Sequence, residues 1–145
     1  MRKKSPFFQW IPLINLSSKD MIDLMSRAKV YIDFGNHPGK DRIPREAAIH
    51  GCCIITGKRG SARFQKDVSI PEEFKFDDSC KNIPRILRKI EEVFLDYENV
   101  NKKFGSYREK IRMEEKVFDE DLDVVCQYLK CFTKNMQGRE VNEVI

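Results

Sequence analysis

Between Gly35 and Gly60 the chain reads GNHPGKDRIPREAAIHGCCIITGKRG. Lys40, Arg42 and Arg59 are the residue types that hold phosphate oxygens. Glu46 can accept hydroxyl hydrogen bonds, while Gly39, Gly60 and Ser61 let a ligand approach bare backbone and a small hydroxyl. From Asn36 to Lys66, seven Lys and Arg stand against Asp41 and Glu46, a local net charge of +5; the whole 145-residue chain carries only +4. Charge concentrated in this way points to a discrete anion site rather than to a surface coated in nucleic acid. Aromatic interleaving for base stacking is thin, with only Phe34 and Phe64 flanking the loops, and no nucleic-acid partner is expected. Neither GxxxxGK[ST] nor GxGxxG occurs, which disfavours a P-loop kinase or GTPase and a dehydrogenase of the dinucleotide-fingerprint type.

Each of these residues also has a plainer role. Glu46 can be a partner for the dipole of a first helical turn, or it can hold the two hydroxyls of a ribose. Lys40, Arg42 and Arg59 can be solvated surface charge, although loops at strand ends are where α/β sheets bind ligands. His50 reads as the end of a helix, His37 as a loop residue able to face a ligand, and Asp33 as a strand-end residue. Five cysteines at 52, 53, 80, 126 and 131, odd in number and without a CxxC, argue against a disulfide framework or zinc site. Reduced thiols imply the cytoplasm. The acidic triplet at 119–121 reads as solvated charge, so no metal site is expected.

The elements that would position these residues follow from periodicity. Phe7–Ile14 reads as a short strand. Ser17 with Asp20 reads as a helix cap, and Met21, Leu24, Met25 and Ala28 as the apolar face of the helix behind it. KVYIDFG is a buried strand, Pro44–His50 a helix closed by Gly51, and CCIIT a further buried strand. The order β-α-β-α-β predicts a parallel sheet with helices on both faces, a partial Rossmann-like α/β fold. Beyond it come an irregular stretch with a short strand near 74–76, a long amphipathic helix over 83–97, and further helices after a break near Gly105. The expected organisation is a domain over 1–112, a C-terminal helix over 113–134 packed on it, and a polar tail over 135–145. No apolar run is long enough for a membrane helix, and the N-terminus does not read as a signal peptide.

The stretch from the strand AKVYIDFG through PREAAIHGCCIITGKRGSA resembles the C-terminal, nucleotide-sugar-binding domain of GT-B glycosyltransferases, of the bacterial polysaccharide-synthesis type. The common pattern there is a strand followed by E-G-F-G-x-P-x-x-E-A-x-x-x-G-x-P-V-I. Glu46, Ala47, Gly51 and the strand Cys53–Ile55 match it in place, and Gly39 falls on its first glycine. The resemblance covers about residues 10–78. It implies that Glu46 holds the donor ribose, that Pro38–Arg42 contact donor sugar and phosphates, and that Gly57–Ser61 lie near the diphosphate. The first glutamate of the pattern falls on Pro38, leaving His37 or Asp41 as substitutes for its role, and the second glycine falls on Asp41.

The resemblance implies a glycosyltransferase donor domain passing a sugar from a nucleoside diphosphate to a saccharide acceptor in surface polysaccharide synthesis. It needs no cofactor or metal where basic groups neutralise the diphosphate. It places the protein in the cytoplasm, with a peripheral position at the inner membrane face compatible. The N-terminal acceptor domain of such enzymes is not in this chain, so the chain alone is expected to be an incomplete, inactive part, and exposed apolar surface would favour self-association. The competing expectation is a non-catalytic nucleotide- or phosphosugar-binding module.

Overall fold

The computed structural model describes residues 8–36, Gly39 and 42–140, with side chains through Thr133. The chain divides into two compact units, Met1–Glu109 and Lys110–Ile145. In the first, α1 (Ser18–Arg27) leads into β1 (Val30–Asp33), α2 (Arg42–Ile49) and β2 (Cys53–Gly57). After two short 3-10 turns come β3 (Lys75–Phe76), a third such turn, α3 (Ile83–Leu95), α4 (Tyr97–Lys102) and the start of α5 (Gly105–Glu140). The three strands form one parallel sheet in the order β1-β2-β3. It carries helices on both faces and is followed by C-terminal helices, so the expected α/β class holds.

Local chemistry accounts for these elements. The Ser17 hydroxyl accepts from the Asp20 N–H at 3.2 Å and donates to the Asp20 carboxylate at 2.6 Å, so the start of α1 is capped as its sequence predicts. Along β2 the side chains alternate. Cys52, just ahead of the strand, donates its thiol to the carbonyls of Met25 and Ala28, marking the face that Ile54 and Thr56 share as the α1 side. Cys53 approaches Asn101 of α4 on the other face. Cys52, Cys53, Ile54, Ile55 and Thr56 are at most 1% exposed, as a strand covered on both sides must be. Phe74 and Phe104 meet edge to face at 4.9 Å and close the core on the α4 side.

The end of α2 is a Schellman turn: Gly51 N–H bonds Ala48 O at 3.1 Å and Cys52 N–H bonds Ala47 O at 2.9 Å, with Gly51 at φ 98°. Its carbonyl accepts from Tyr97 Oη at 2.7 Å, from Asn101 Nδ2 and from Arg108 Nη2. The nearly buried Arg108 also donates Nε to Ala48 O at 2.7 Å and Nη1 to Asn101 O at 3.1 Å. A second glycine is required at Gly57, where a Cβ would lie 3.0 Å from Phe34 Cδ1 and 3.3 Å from its Cα.

Three expectations are corrected. Phe7 lies outside the described residues, and residues 8–14 form no strand. Phe8 packs instead on Phe94 at 5.0 Å and on Trp10 at 6.2 Å, Ile11 and Ile14 stay exposed, and Pro12 lacks the N–H a ladder needs. The helix expected over 83–97 breaks at Asp96 (φ −138°, ψ 54°), and Tyr97 opens α4. Gly105 begins a helix that runs unbroken to Glu140, so residues 113–134 are not a separate helix; residues 141–145 of the expected tail lie outside the described residues.

Replacing Arg108 by methionine keeps the volume of its stem and removes three guanidinium hydrogen bonds to the carbonyls of Ala48, Gly51 and Asn101, each of which keeps a weaker, neutral donor. We expect a loss of about 3 kcal/mol in urea unfolding of the full chain, from charge-assisted bonds of this kind. Gly51→Ala adds a Cβ 3.3 Å from Tyr97 Oη at a left-handed φ; about 1–3 kcal/mol should be lost in the same measurement.

Candidate functional site

In a parallel sheet the strands all present their carboxyl ends to one rim, and the connections leaving that rim carry the sequence-predicted residues. α2 begins at Arg42, two residues earlier than Pro44, and its first turn faces the loop that leaves β1. Arg42 pairs with Glu46 Oε1 one turn on. The other carboxylate oxygen, Glu46 Oε2, is buried and has no hydrogen-bond partner among the described residues. Gly39 adopts φ 76° with open space where a Cβ would stand. His37, Pro38, Lys40 and Asp41 lie outside the described residues.

On the connection leaving β2, Gly60 adopts φ 55°, ψ −140°, a region open only to glycine, and delivers Ser61 into a 3-10 turn. Ser61 is 6% exposed and its hydroxyl has no hydrogen-bond partner among the described residues. Arg59 pairs with Asp78 at 2.9 Å and Lys58 with Glu72 at 2.6 Å, both near the surface. The Lys58 ammonium donates to Glu72, which lowers the Glu72 carboxyl below its usual range and raises Lys58 above its own. Two of the seven basic residues over 36–66 are therefore matched by acids that lie beyond that window.

Two residues that the sequence reading did not single out join this rim. Thr56, the penultimate residue of β2, stands in register with Lys75 of β3, so their side chains share a face. Thr56 is 0% and Lys75 4% exposed, and neither Thr56 Oγ1 nor Lys75 Nζ has a hydrogen-bond partner among the described residues. Burial pushes the Lys75 ammonium below the usual lysine value, an effect that Glu72 opposes and Lys58 reinforces. The signal was present in the triplet Phe74-Lys75-Phe76. Alternation sends Lys75 away from the face of Phe76, and in a sheet covered on both sides that other face is buried too. An ammonium and two hydroxyls, all desolvated and unmatched, make a rim receptive to an anion.

The remaining candidates are occupied or inert. Asp33 accepts from Tyr31 Oη at 2.8 Å and from Gly35 N–H at 2.7 Å, so it holds the turn after β1. His50 follows α2 and stands 3.4 Å from Ser26 Oγ through Nδ1. Burial pushes the Cys52 thiol up to about 12, the neighbouring Cys53 adding to the effect, and Cys53 up to about 11. Both stay neutral thiols at physiological pH. Among the described residues no group of three or more His, Cys, Asp or Glu could hold a metal ion. A cavity of about 700 Å³ lies between residues 8–13, α1 and β1, lined by Trp10, Tyr31, Asp33 and Phe94 among others; none of the basic residues, glycines or Glu46 predicted to bind a donor lines it.

Comparison with protein-family models, with curated proteins and with solved structures returns no match to this chain. Fold and rim define the first unit as an α/β domain with a parallel sheet. Among the described residues no helix is long and apolar enough to cross a membrane.

Lys75 supplies a test of the unmatched charge. With its folded-state pKa depressed, the unfolded chain binds more protons between that value and the ordinary lysine range, so stability rises with pH across this window. Lys75→Met should remove that alkaline rise and add about 1–2 kcal/mol at neutral pH without ligand, read from urea midpoints at several pH values.

Proposed function

We propose that the carboxyl rim of this sheet binds a nucleoside diphosphate sugar, and that the chain is the donor-binding part of a glycosyltransferase of the GT-B type. The observation that carries the reading is Glu46: one oxygen is held by Arg42, and the buried other oxygen has no donor. A ribose hydroxyl is a neutral donor of the right reach, and a buried carboxylate oxygen gains most from acquiring one. The diphosphate would lie between the amino end of α2 and the Gly60–Ser61 turn, with Thr56 and Lys75 below it.

In transfer, the bond between the anomeric carbon and the phosphate oxygen breaks, and a saccharide acceptor hydroxyl bonds that carbon. The nucleoside diphosphate leaves with the bonding pair, and the acceptor proton passes to a base. Arg59, Lys75 and the first turn of α2 act on the leaving group, where negative charge develops. Arg59 can leave Asp78 at little cost, because exposed ion pairs contribute about 0–1 kcal/mol. His37 and Asp41 are the candidates for contact with the sugar. The acceptor, a growing surface polysaccharide, and the acceptor-binding domain would come from outside this chain, and the setting is cytoplasmic.

The reading is tested by a thermal-shift panel of UDP-, GDP-, ADP- and dTDP-sugars on the full chain. One donor class should raise the melting temperature. Glu46→Ala should weaken that donor at least about tenfold, the equivalent of one lost hydrogen bond of about 1.4 kcal/mol. No shift with any donor, or a Glu46→Ala chain that binds as the parent does, overturns the assignment. Binding that persists without turnover once an acceptor domain is supplied identifies a binding module instead of an enzyme.

A further inference from the structure

The second unit carries an apolar seam that none of the rim chemistry uses. α5 continues through it to Glu140, and every residue from 115 to 133 is exposed. Phe118, Leu122, Val125, Leu129 and Phe132 recur at alternating spacings of four and three, and each is between 49% and 65% exposed. This is the a/d spacing of a coiled coil. Val124 and Tyr128 flank it, at 66% and 70% exposed. Isolated apolar side chains on a surface need no explanation, but a continuous stripe of two aromatic rings and three aliphatic groups along one helix does.

The charge along the same helix names the occupant. Residues 110–123 hold three basic residues against six acidic ones, a net −3. Residues 124–139 hold Lys130, Lys134 and Arg139 and no acidic residue, a net +3. A second copy laid parallel would set acidic half on acidic half. Laid antiparallel, it sets acidic half on basic half, and the seam remains self-complementary, with Phe118 opposite Leu129 and Leu122 opposite Val125 of the second copy. We propose that this helix pairs with a second copy of the chain as an antiparallel, two-fold coiled coil centred between Leu122 and Val125. The same patch then serves both copies, as a closed two-fold interface requires, and the opposed halves attract along their length while disfavouring the parallel arrangement.

Sedimentation velocity of the full chain at micromolar concentration should give twice the mass of one chain. Leu122→Asp with Leu129→Asp should return it to the mass of one chain; both positions are exposed, so the first unit keeps its thermal transition. Orientation is read separately in a chain whose Cys80, Cys126 and Cys131 are serine. Oxidation should link Phe118→Cys to Leu129→Cys when the two variants are mixed, and should link neither variant to itself. A one-chain mass for the parent, a doubled mass that survives both aspartates, or covalent dimers from each single variant alone would overturn the proposal.

Discussion

Three side chains from the helical half of the first unit reach back to one carbonyl, that of Gly51. The Schellman turn that ends α2 leaves this oxygen outside the helix ladder and aimed at α4 and the first turn of α5. Tyr97, Asn101 and Arg108 converge on it, and Arg108 also takes the carbonyls of Ala48 and Asn101. A buried guanidinium ordinarily calls for a carboxylate. Arg108 instead donates to three carbonyls, two of them at the carboxyl end of α2, where the helix dipole presents partial negative charge. A cation in that position gains up to about 2 kcal/mol when partly buried. The crossover helix is thus pinned at its far end, and its amino end is held at the sheet rim. A φ of 98° at Gly51 is the local condition for the whole arrangement.

At the rim, burial separates the charges that define a site from those that merely decorate it. Arg42, Lys58 and Arg59 each hold a carboxylate, but their guanidinium and ammonium groups remain a third or more exposed, and such pairs exchange partners cheaply. Lys75, Thr56 and Ser61 are different. Leaving a buried donor unmatched costs about 1–3 kcal/mol per group, more for an ammonium. An arriving anion recovers that cost, whereas it merely replaces a carboxylate at the exposed pairs. On the proposed reading the weight of recognition falls on the desolvated groups, and the exposed arginines tune approach more than affinity.

Most of the sheet was legible in the sequence because its signals are local. The Ser17–Asp20 cap, the β-rich run ending at Gly35, Gly51 after REAAIH and the apolar CCIIT each carry their cause within a few residues. The stretch at 8–14 misled because β propensity describes fit to a pleated surface and does not by itself bring a ladder partner; here Phe8 packs on Phe94 and on Trp10 while the backbone stays out of the sheet. Glu46, Gly60 and Ser61 were singled out because loops at strand ends are where α/β sheets bind ligands. Lys75 was passed over because lysine reads as surface until a covered face is known to lie beneath it. Asp78 and Glu72 neutralise basic residues about twenty and fourteen positions away, and Arg108 serves a turn nearly sixty residues earlier. Pairings of that range have no periodicity to betray them.

The second unit poses the opposite physical problem. A helix in water owes most of its stability to an apolar face packed against something else, since nucleation is costly and each added residue gains little. Over residues 115–133 no residue of α5 is buried. Propensity alone does not favour this stretch: Val117, Phe118, Val124, Val125, Tyr128, Phe132 and Thr133 are all middling helix formers. A run of alanine, glutamate and lysine would make a self-sufficient solvated helix; this run does not. Its residues are the ones that fill a seam, arranged at the interval a seam demands, and they reward the helical state only when a second surface covers them. Helicity here is therefore coupled to association, and the concentration at which this segment loses its partner should also be the concentration at which its helix begins to fray.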